Sequence, residues 1–213
     1  MPTLSSNIRP NLAGDYPVVH PSSLIDPSAQ IIGNVQIAAD VFIGPLTVIR
    51  ADELGPEGRV ERIVIEEEVN IQDGVIIHSH GGKSVTLGRR TTVAHGVAIH
   101  GPCTIGADCF LSMRSMVYSA TIEDSVWIGM GAIIMQATLQ SHIKVPEGAV
   151  IRGRLDLMGL RHVSHKEQAY MDKMHRANSR LRKDYLELRS KALSLRDKAL
   201  ARQEEKEQVT TET

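Results

Sequence analysis

Large aliphatic residues recur every six positions along much of this chain. They form three runs: Ile25, Ile31, Ile37, Ile43 and Ile49; Ile65, Ile71 and Ile77; and Leu87, Val93, Ile99, Ile105, Leu111 and Val117. Four positions after most of them stands a second inward candidate, usually small or β-branched: Ala29, Val35, Val41, Thr47, Val69, Val75, Thr91, Val97, Cys103, Cys109, Ser115 and Thr121. Neither an α-helix nor a simple strand has a period of six, so each unit is predicted to be one short strand and a corner. Three units then make one coil of a triangular parallel β-helix, an all-β solenoid.

The repeat is predicted to form one domain over residues 19–153, after an irregular lead-in at 1–18. Two insertions interrupt it: a turn-rich loop at 51–59 and a shorter one at 79–84. Before Ile122 and Leu139 the step falls to five, which we interpret as deletion of one corner residue. Sequence distance therefore converts into spatial position on three faces.

After residue 153 the pattern changes to that of a long C-terminal α-helix over 164–205. Its apolar stripe alternates three and four residues apart: Met171, Met174, Asn178, Leu181, Tyr185, Leu188, Ala192, Leu195 and Ala199. A narrow stripe of this kind predicts packing against the side of the β-helix or against another subunit. The polar residues 206–213 are expected to form a frayed tail.

Composition mainly argues against certain partners, locations and a disulfide. A formal net charge of −1 in 213 residues gives no case for nucleic acid or an anionic membrane surface as partner. No apolar run is long enough to span a bilayer, and the first six residues lack the features of a signal peptide, so we expect a cytoplasmic protein. Cys103 and Cys109 occupy inward positions and are expected to be core fillers rather than a disulfide.

Counting units places two histidines next to each other. Ile31, Ile49, Ile77, Ile99 and Val117 stack on one face, and the residue after each points outward. The outward column then contains Ile32, Arg50, His78, His100 and Tyr118. Since neighbouring coils are about 4.8 Å apart, two stacked imidazoles at 78 and 100 are able to share one metal ion.

A third histidine lies on the corner that leads into this face. The corner column contains Pro27, Pro45, Asp73, His95 and Met113. Five extended residues put the Cα atoms of His95 and His100 about 16 Å apart, too far for one metal ion in one chain. A neighbour's His95 reaches the site if the corner of one prism docks against the face of the next, which a homotrimer achieves with three equivalent interfaces. The same docking should bring Asp73 near Arg50, an ion pair across the interface.

Five further histidines are expected to be solvated surface residues without a role: His20, His142, His162, His165 and His175.

Several stretches around these residues resemble the γ-class carbonic anhydrases. They are Phe42-Ile43-Gly44-Pro45, Ile49-Arg50-Ala51-Asp52-Glu53, Asn70-Ile71-Gln72-Asp73-Gly74-Val75, Ala94-His95 and His100-Gly101-Pro102. The resemblance covers roughly residues 19–151 and is specific over 42–102. It implies a left-handed parallel β-helix of hexapeptide repeats, a homotrimer, and a zinc site between subunits.

The resemblance also implies roles for individual residues. The zinc ligands match His78, His95 and His100, and the interface arginine and aspartates match Arg50, Asp52 and Asp73. The active-site asparagine and glutamine match Asn70 and Gln72, and a glutamate implicated in turnover matches Glu53. The founding members carry a long acidic loop after the first ligand, whereas here the loop is short, without a carboxylate. Histidine as a residue type exchanges protons near neutral pH, so His80 in that loop is a candidate proton shuttle.

The predicted reaction is reversible hydration of CO₂ to bicarbonate. Three neutral imidazoles would hold Zn²⁺ and leave a position open, and the metal would generate hydroxide at neutral pH. Gln72 would orient the hydroxide, Asn70 would hold the substrate oxygen, and Glu53 would carry the proton away. Fe²⁺ or Co²⁺ would suit the same ligands.

Two alternatives stay open. One is a hexapeptide-repeat acyltransferase, which shares the prism and the trimer, uses a histidine base with coenzyme A, and needs no metal. The other is an assembly protein that keeps the site with weak or no catalysis.

Overall fold

The six-residue repeat folds into a parallel β-solenoid of about seven coils followed by one long helix, which confirms the predicted left-handed β-helix. This computed structural model describes residues 7–211, without the side chains of 193 and 196–211; residues 1–6 of the predicted lead-in and residues 212–213 of the predicted tail lie outside it. The strands, in chain order, are β1 (Ile8–Arg9), β2 (Val18–Val19), β3 (Leu24–Ile25), β4 (Gln30–Gly33), β5 (Val35–Ile37), β6 (Phe42–Ile43), β7 (Val48–Ala51), β8 (Ile63–Ile65), β9 (Asn70–Ile71), β10 (Ile76–Ser79), β11 (Val85–Leu87), β12 (Thr92–Val93), β13 (Ala98–Gly101), β14 (Cys103–Ile105), β15 (Phe110–Leu111), β16 (Met116–Tyr118), β17 (Thr121–Ile122), β18 (Trp127–Ile128), β19 (Ile133–Met135), β20 (Thr138–Leu139), β21 (Ile143–Val145), β22 (Val150–Ile151) and β23 (Arg161–His162). A 3₁₀ turn spans Arg154–Leu157, and the helix α1 spans His165–Thr211.

Every third strand of the solenoid joins the same sheet. The first sheet has the order β1-β4-β7-β10-β13-β16-β19-β22, the second β2-β5-β8-β11-β14-β17-β20, and the third β23-β21-β18-β15-β12-β9-β6-β3. All pairings are parallel except that of β21 with β23. Part of the predicted lead-in thus belongs to the solenoid, because β1 pairs with β4.

The core is the axis of the prism, filled by the inward residues of the repeat. The largest fully buried side chains are Ile31, Ile37, Ile43, Ile49, Ile63, Ile65, Ile71, Ile77, Leu87, Ile99, Ile105 and Leu111. Burial of each such side chain contributes about 1.5–3 kcal/mol. Stacking in register is confirmed, since Ile77 pairs with Ile49 on one side and Ile99 on the other.

The prediction that Thr121 points inward is wrong. Ala120 is buried instead, while Thr121 is exposed and pairs with outward Thr104. The deleted corner residue precedes Ala120, so the inward position moves back by one.

Both cysteines are buried free thiols, as predicted for core fillers. Burial raises the pKa of the Cys109 thiol to about 12. Among the described residues, no helix is both apolar and long enough to cross a bilayer.

The first turns of α1 lie on the third sheet, and the face that they bury differs from the predicted stripe. Met171 is buried as expected, and Tyr170 contacts the rings of Phe110 and Trp127, with centroids 5.9 and 5.6 Å away. The residues from Arg180 onward form a second unit. Within that unit the stripe residues Leu181, Tyr185, Leu188 and Leu195 are exposed.

His175 is buried, so the prediction of a solvated role for it is wrong. It stands one turn after Met171 on the same helix face, and its Nε2 lies 3.2 Å from a Glu68 carboxylate oxygen. The spacing of apolar residues alone does not indicate that a polar residue such as His175 belongs to the buried face of the helix. The other four histidines without a predicted role, His20, His142, His162 and His165, are exposed as expected.

The start of α1 is held by a capping box, which makes its docking sensitive to acid. Ser164 N donates to Glu167 Oε2 at 2.9 Å, and Glu167 N donates to Ser164 Oγ at 3.3 Å. Hydrogen bonds from Arg161, then Ser164 and Lys144, hold the pKa of Glu167 well below its ordinary value. A carboxylate with a depressed folded-state pKa stabilises the fold above the ordinary glutamate pKa of about 4.3 and loses that contribution as the pH falls.

We therefore expect Glu167→Gln to lower the stability of helix docking by about 1 kcal/mol at pH 7 and to flatten its dependence on pH below 5. Urea titration followed by fluorescence of the single tryptophan, Trp127, would measure this, because Lys144 Nζ lies 5.0 Å from the Trp127 ring centroid and 3.0 Å from Glu167 Oε1. Glu187→Gln, farther along the helix, is the control. Equal pH profiles for the wild type and Glu167→Gln would contradict the prediction.

Candidate metal centre

His78 and His100 are direct neighbours on the first sheet, as the counting of units predicts. β10 and β13 pair with His78 opposite His100, and both side chains lie on the outer face. The ring centroids are 5.1 Å apart, and His78 Nδ1 lies 3.3 Å from His100 Nε2. The rest of the predicted column is in register too: Arg50 pairs with His78, and Tyr118 with His100.

This nitrogen pair lies within hydrogen-bond distance, and its separation also suits two ligands of one metal ion. Two nitrogens bound to one tetrahedral zinc at about 2.0–2.1 Å lie about 3.3–3.4 Å from each other. The nitrogens on the far sides of both rings face oxygen atoms. His78 Nε2 lies 3.3 Å from Glu53 Oε1, and His100 Nδ1 lies 3.3 Å from the Gly101 carbonyl oxygen. Metal-binding histidines usually have such an oxygen behind the ring, which fixes its tautomer and orientation.

The electrostatic environment favours a neutral imidazole at position 78. Burial lowers the pKa of His78, the nearby Arg50 guanidinium lowers it further, and Glu53 and Asp52 oppose the shift. His78 Nε2 is buried and makes no hydrogen bond, although two carboxylate oxygens lie near it, Glu53 Oε1 at 3.3 Å and Asp52 Oδ1 at 3.5 Å. A neutral ring offers the lone pair that a metal ion needs.

His95 lies on the corner before β13, away from the other two histidines. Gly96, with φ of 67°, turns the chain directly after it, and Arg114 N donates to the His95 carbonyl oxygen on the next coil. Its ring nitrogen Nδ1 lies 3.5 Å from Asp73 Oδ2, and both side chains are half exposed. Among the side chains that the structure describes, no three from histidine, cysteine or acidic residues converge on a metal position. One chain therefore supplies two of the three predicted ligands together, and the third stands apart on the surface.

The predicted interface charges have partners within the chain. Arg50 Nη1 bonds Asp52 Oδ2 at 3.0 Å, and Asp73 lies next to His95. The pairing of Arg50 with the Asp73 of a neighbour stays a prediction.

The two amides are bonded to each other at the entry to the Asp73 corner. Gln72 Nε2 donates to Asn70 Oδ1 at 2.8 Å, and Asn70 is buried with its Nδ2 lacking a hydrogen-bond partner. An amide NH₂ without a partner is able to donate to a bound oxygen.

His80 lies over the histidine pair, next to Tyr118, for which the sequence predicts no role. The ring centroids of His80 and His100 are 4.4 Å apart, and His80 Nε2 is 3.3 Å from the Tyr118 hydroxyl. Tyr118 belongs to the predicted outward column, but the spacing of the repeat does not indicate this contact.

An apolar column, also missed from the sequence, runs along the same face beside the histidines. Its six residues pair strand to strand: Val48, Ile76, Ala98, Met116, Ile133 and Val150. Ile76 is 53% exposed, Met116 43% and Val150 40%, so the column is open to solvent. The signal that could have found it is the other outward position of each strand, two residues before the histidine column.

Comparison with known proteins supports the fold, whereas sequence similarity to curated proteins covers only about half of the chain. No protein-family model matches the chain. The carnitine operon protein CaiE of Escherichia coli K12 is 35% identical over 119 residues, 55% of this chain and 57% of that protein. CaiE of strain O157:H7 is 38% identical over 104 residues, 49% of each chain. The chain thus spans about half the length of the curated relatives it matches.

Two solved structures share the architecture. A hexapeptide transferase family protein from Anaplasma phagocytophilum has a TM-score of 0.68 at 24% identity, covering 84% of this chain and 97% of that one. A putative acetyltransferase from Bacillus cereus has a TM-score of 0.59 at 24% identity, covering 85% and 97%. The chain thus shares the left-handed parallel β-helix fold of these two proteins.

Proposed function

We propose that this protein is a γ-class carbonic anhydrase that hydrates CO₂ reversibly at zinc sites between the subunits of a homotrimer. One observation carries the proposal: His78 and His100 present two nitrogens 3.3 Å apart, each ring with an oxygen behind it.

His78 and His100 of one chain and the partner's His95 would hold the metal. When bound, zinc supplies Lewis-acid activation of water, which makes it a nucleophile at neutral pH. The buried NH₂ group of Asn70 would donate to a CO₂ oxygen, and Gln72 would orient the attacking oxygen. Glu53, whose side chain is 47% exposed, connects the site to solvent and would pass the proton to buffer.

The apolar column supports assembly on this face. It lies directly beside the histidine column, so a subunit docked on it would bring its own corner to the metal position. Contiguous exposed apolar surface on a protein is typical of interaction sites. A three-fold arrangement closes after three such contacts.

An acyltransferase is the alternative, because the two solved structures that share the fold carry transferase names. It would use one histidine as a general base and would not need a metal ion. The two activities therefore differ in metal content and in binding of acyl-coenzyme A.

The test is metal analysis of protein purified without chelator, together with stopped-flow CO₂ hydration. We expect about one zinc for each chain, and we expect loss of both zinc and hydration in His100→Ala. His142→Ala, which replaces an exposed histidine outside the site, is the control and should match the wild type. Equal hydration by the wild type and His100→Ala would end the enzyme proposal, and metal-free protein that binds acyl-coenzyme A would favour the alternative.

A further inference from the structure

The two insertions that interrupt the repeat lie side by side. The first follows β7 and the second follows β10, and these strands are paired, with Arg50 opposite His78. Both loops therefore begin at the C-terminal ends of neighbouring strands of the first sheet, directly after the column that contains His78 and His100.

Three glycines let the two loops touch backbone to backbone. A Cβ atom on Gly81 would lie 2.2 Å from the Leu54 carbonyl oxygen, and one on Gly55 would lie 2.5 Å from Gly82 Cα. Both distances are far below any real contact, and both involve backbone, which cannot rotate away. We call Gly55, Gly81 and Gly82 the glycine clasp.

The clasp holds the carboxylate that contacts the metal ligand. Gly81 N donates to Glu53 Oε2 at 3.2 Å, and the other oxygen, Oε1, lies 3.3 Å from His78 Nε2. The Glu53 side chain is half exposed, so these two contacts are what restrict it. Asp52, the other nearby carboxylate, is held by Arg50 and is independent of the clasp.

We propose that Gly81 is a positioning residue for the metal centre, acting through Glu53. This inference rests on the proposed metal site, and it adds a role that the sequence motifs do not contain. The N–H of Gly81 and the close packing of the clasp fix the Glu53 carboxylate behind the His78 ring. With a metal ion on Nδ1, the His78 ring would carry its proton on Nε2 and donate it to this carboxylate 3.3 Å away, which would keep Nδ1 facing His100. Such outer contacts typically change metal affinity by about 10–100-fold.

A double-mutant cycle on cobalt(II) affinity tests the proposal without measuring activity. Gly81→Ala and Glu53→Ala are each expected to weaken Co²⁺ binding about tenfold, read from the visible spectrum of the bound ion. If Gly81 acts through Glu53, the double variant should also lose only about tenfold, whereas independent effects would multiply to about a hundredfold. Gly55→Ala, on the facing loop, should behave like Gly81→Ala.

The control is Gly153→Ala, where an added Cβ meets no atom within 4 Å and φ is −177°. It should leave Co²⁺ affinity unchanged. Trimer mass and circular dichroism identify any variant that fails to fold, and the Gly55→Ala variant then supplies the cycle.

The outcomes separate this inference from the function itself. Multiplicative losses, or an unchanged affinity in Gly81→Ala, overturn the positioning role while the metal site stands. If the effects of Gly81→Ala and Glu53→Ala on Co²⁺ affinity are not multiplicative but the protein does not hydrate CO₂, the positioning role of Gly81 is supported and the carbonic anhydrase proposal is overturned. A wild-type protein that binds no cobalt overturns both.

Discussion

Trimers that contain both His95→Ala and His100→Ala chains are expected to recover about one third of the wild-type zinc content and CO₂ hydration, although each variant alone has neither. The reason is geometric. Each proposed site takes His78 and His100 from one chain and His95 from the next. A mixed trimer contains two chains of one variant and one chain of the other. In either case, one of its three interfaces joins a chain with intact His78 and His100 to a chain with intact His95. Co-expression with two different tags and purification on both would isolate these mixed trimers for metal analysis and stopped-flow assay.

A matched control comes from the same face. Mixed trimers of His78→Ala and His100→Ala should stay inactive and zinc-free, because both ligands must come from one chain and neither chain keeps both. If His95 acted within its own chain, the first mixture would be as inactive as the second. Recovery in both mixtures would show that the histidine pair is not a unit.

The face that carries the proposed site could be predicted from spacing alone because a solenoid is almost one-dimensional. Each coil contacts only its neighbours, so a six-residue period fixes which residues stack. His78 and His100, separated by a whole coil and one insertion, become paired residues for that reason. The same counting put His95 at the opposite end of the strand, where the structure has it on a corner beside Asp73.

The loops could not be predicted in this way, because insertions leave the repeat. The sequence predicts Glu53 on a loop as a proton carrier, but the contact of its carboxylate with Gly81 N depends on two backbones that approach each other outside the solenoid. Glycines in both loops were visible as turn formers. The close contact that these glycines allow between the two loops is a feature of the tertiary structure, which residue spacing does not reveal.

The helix shows a different limit. Apolar spacing predicted a contact face, yet the structure buries His175 against Glu68 and leaves Leu181 exposed. A polar residue with a partner on the solenoid satisfies burial as well as an apolar one does. Sequence spacing cannot show such a partner, since it lies more than a hundred residues away.

Met116→Glu, at the centre of the apolar column, is expected to convert the trimer into monomers. In the proposed assembly a carboxylate at this position would be buried among apolar side chains without a partner, at a cost of several kcal/mol for each of three interfaces. Zinc content and CO₂ hydration should fall with the trimer, even though Met116 is not a ligand. Light scattering coupled to size-exclusion chromatography would measure the mass.

Thr121→Glu is the matched control for this substitution. Thr121 also lies at an exposed outward strand position, but on the second sheet, which carries none of the proposed ligands. It should remain a trimer with full zinc content. A Met116→Glu protein that stays trimeric and keeps its zinc would show that the subunits contact each other elsewhere. His95 of the neighbouring subunit would then not reach His78 and His100. Because the assembly and the metal are proposed to depend on one face, a loss of mass without a loss of zinc would be equally damaging.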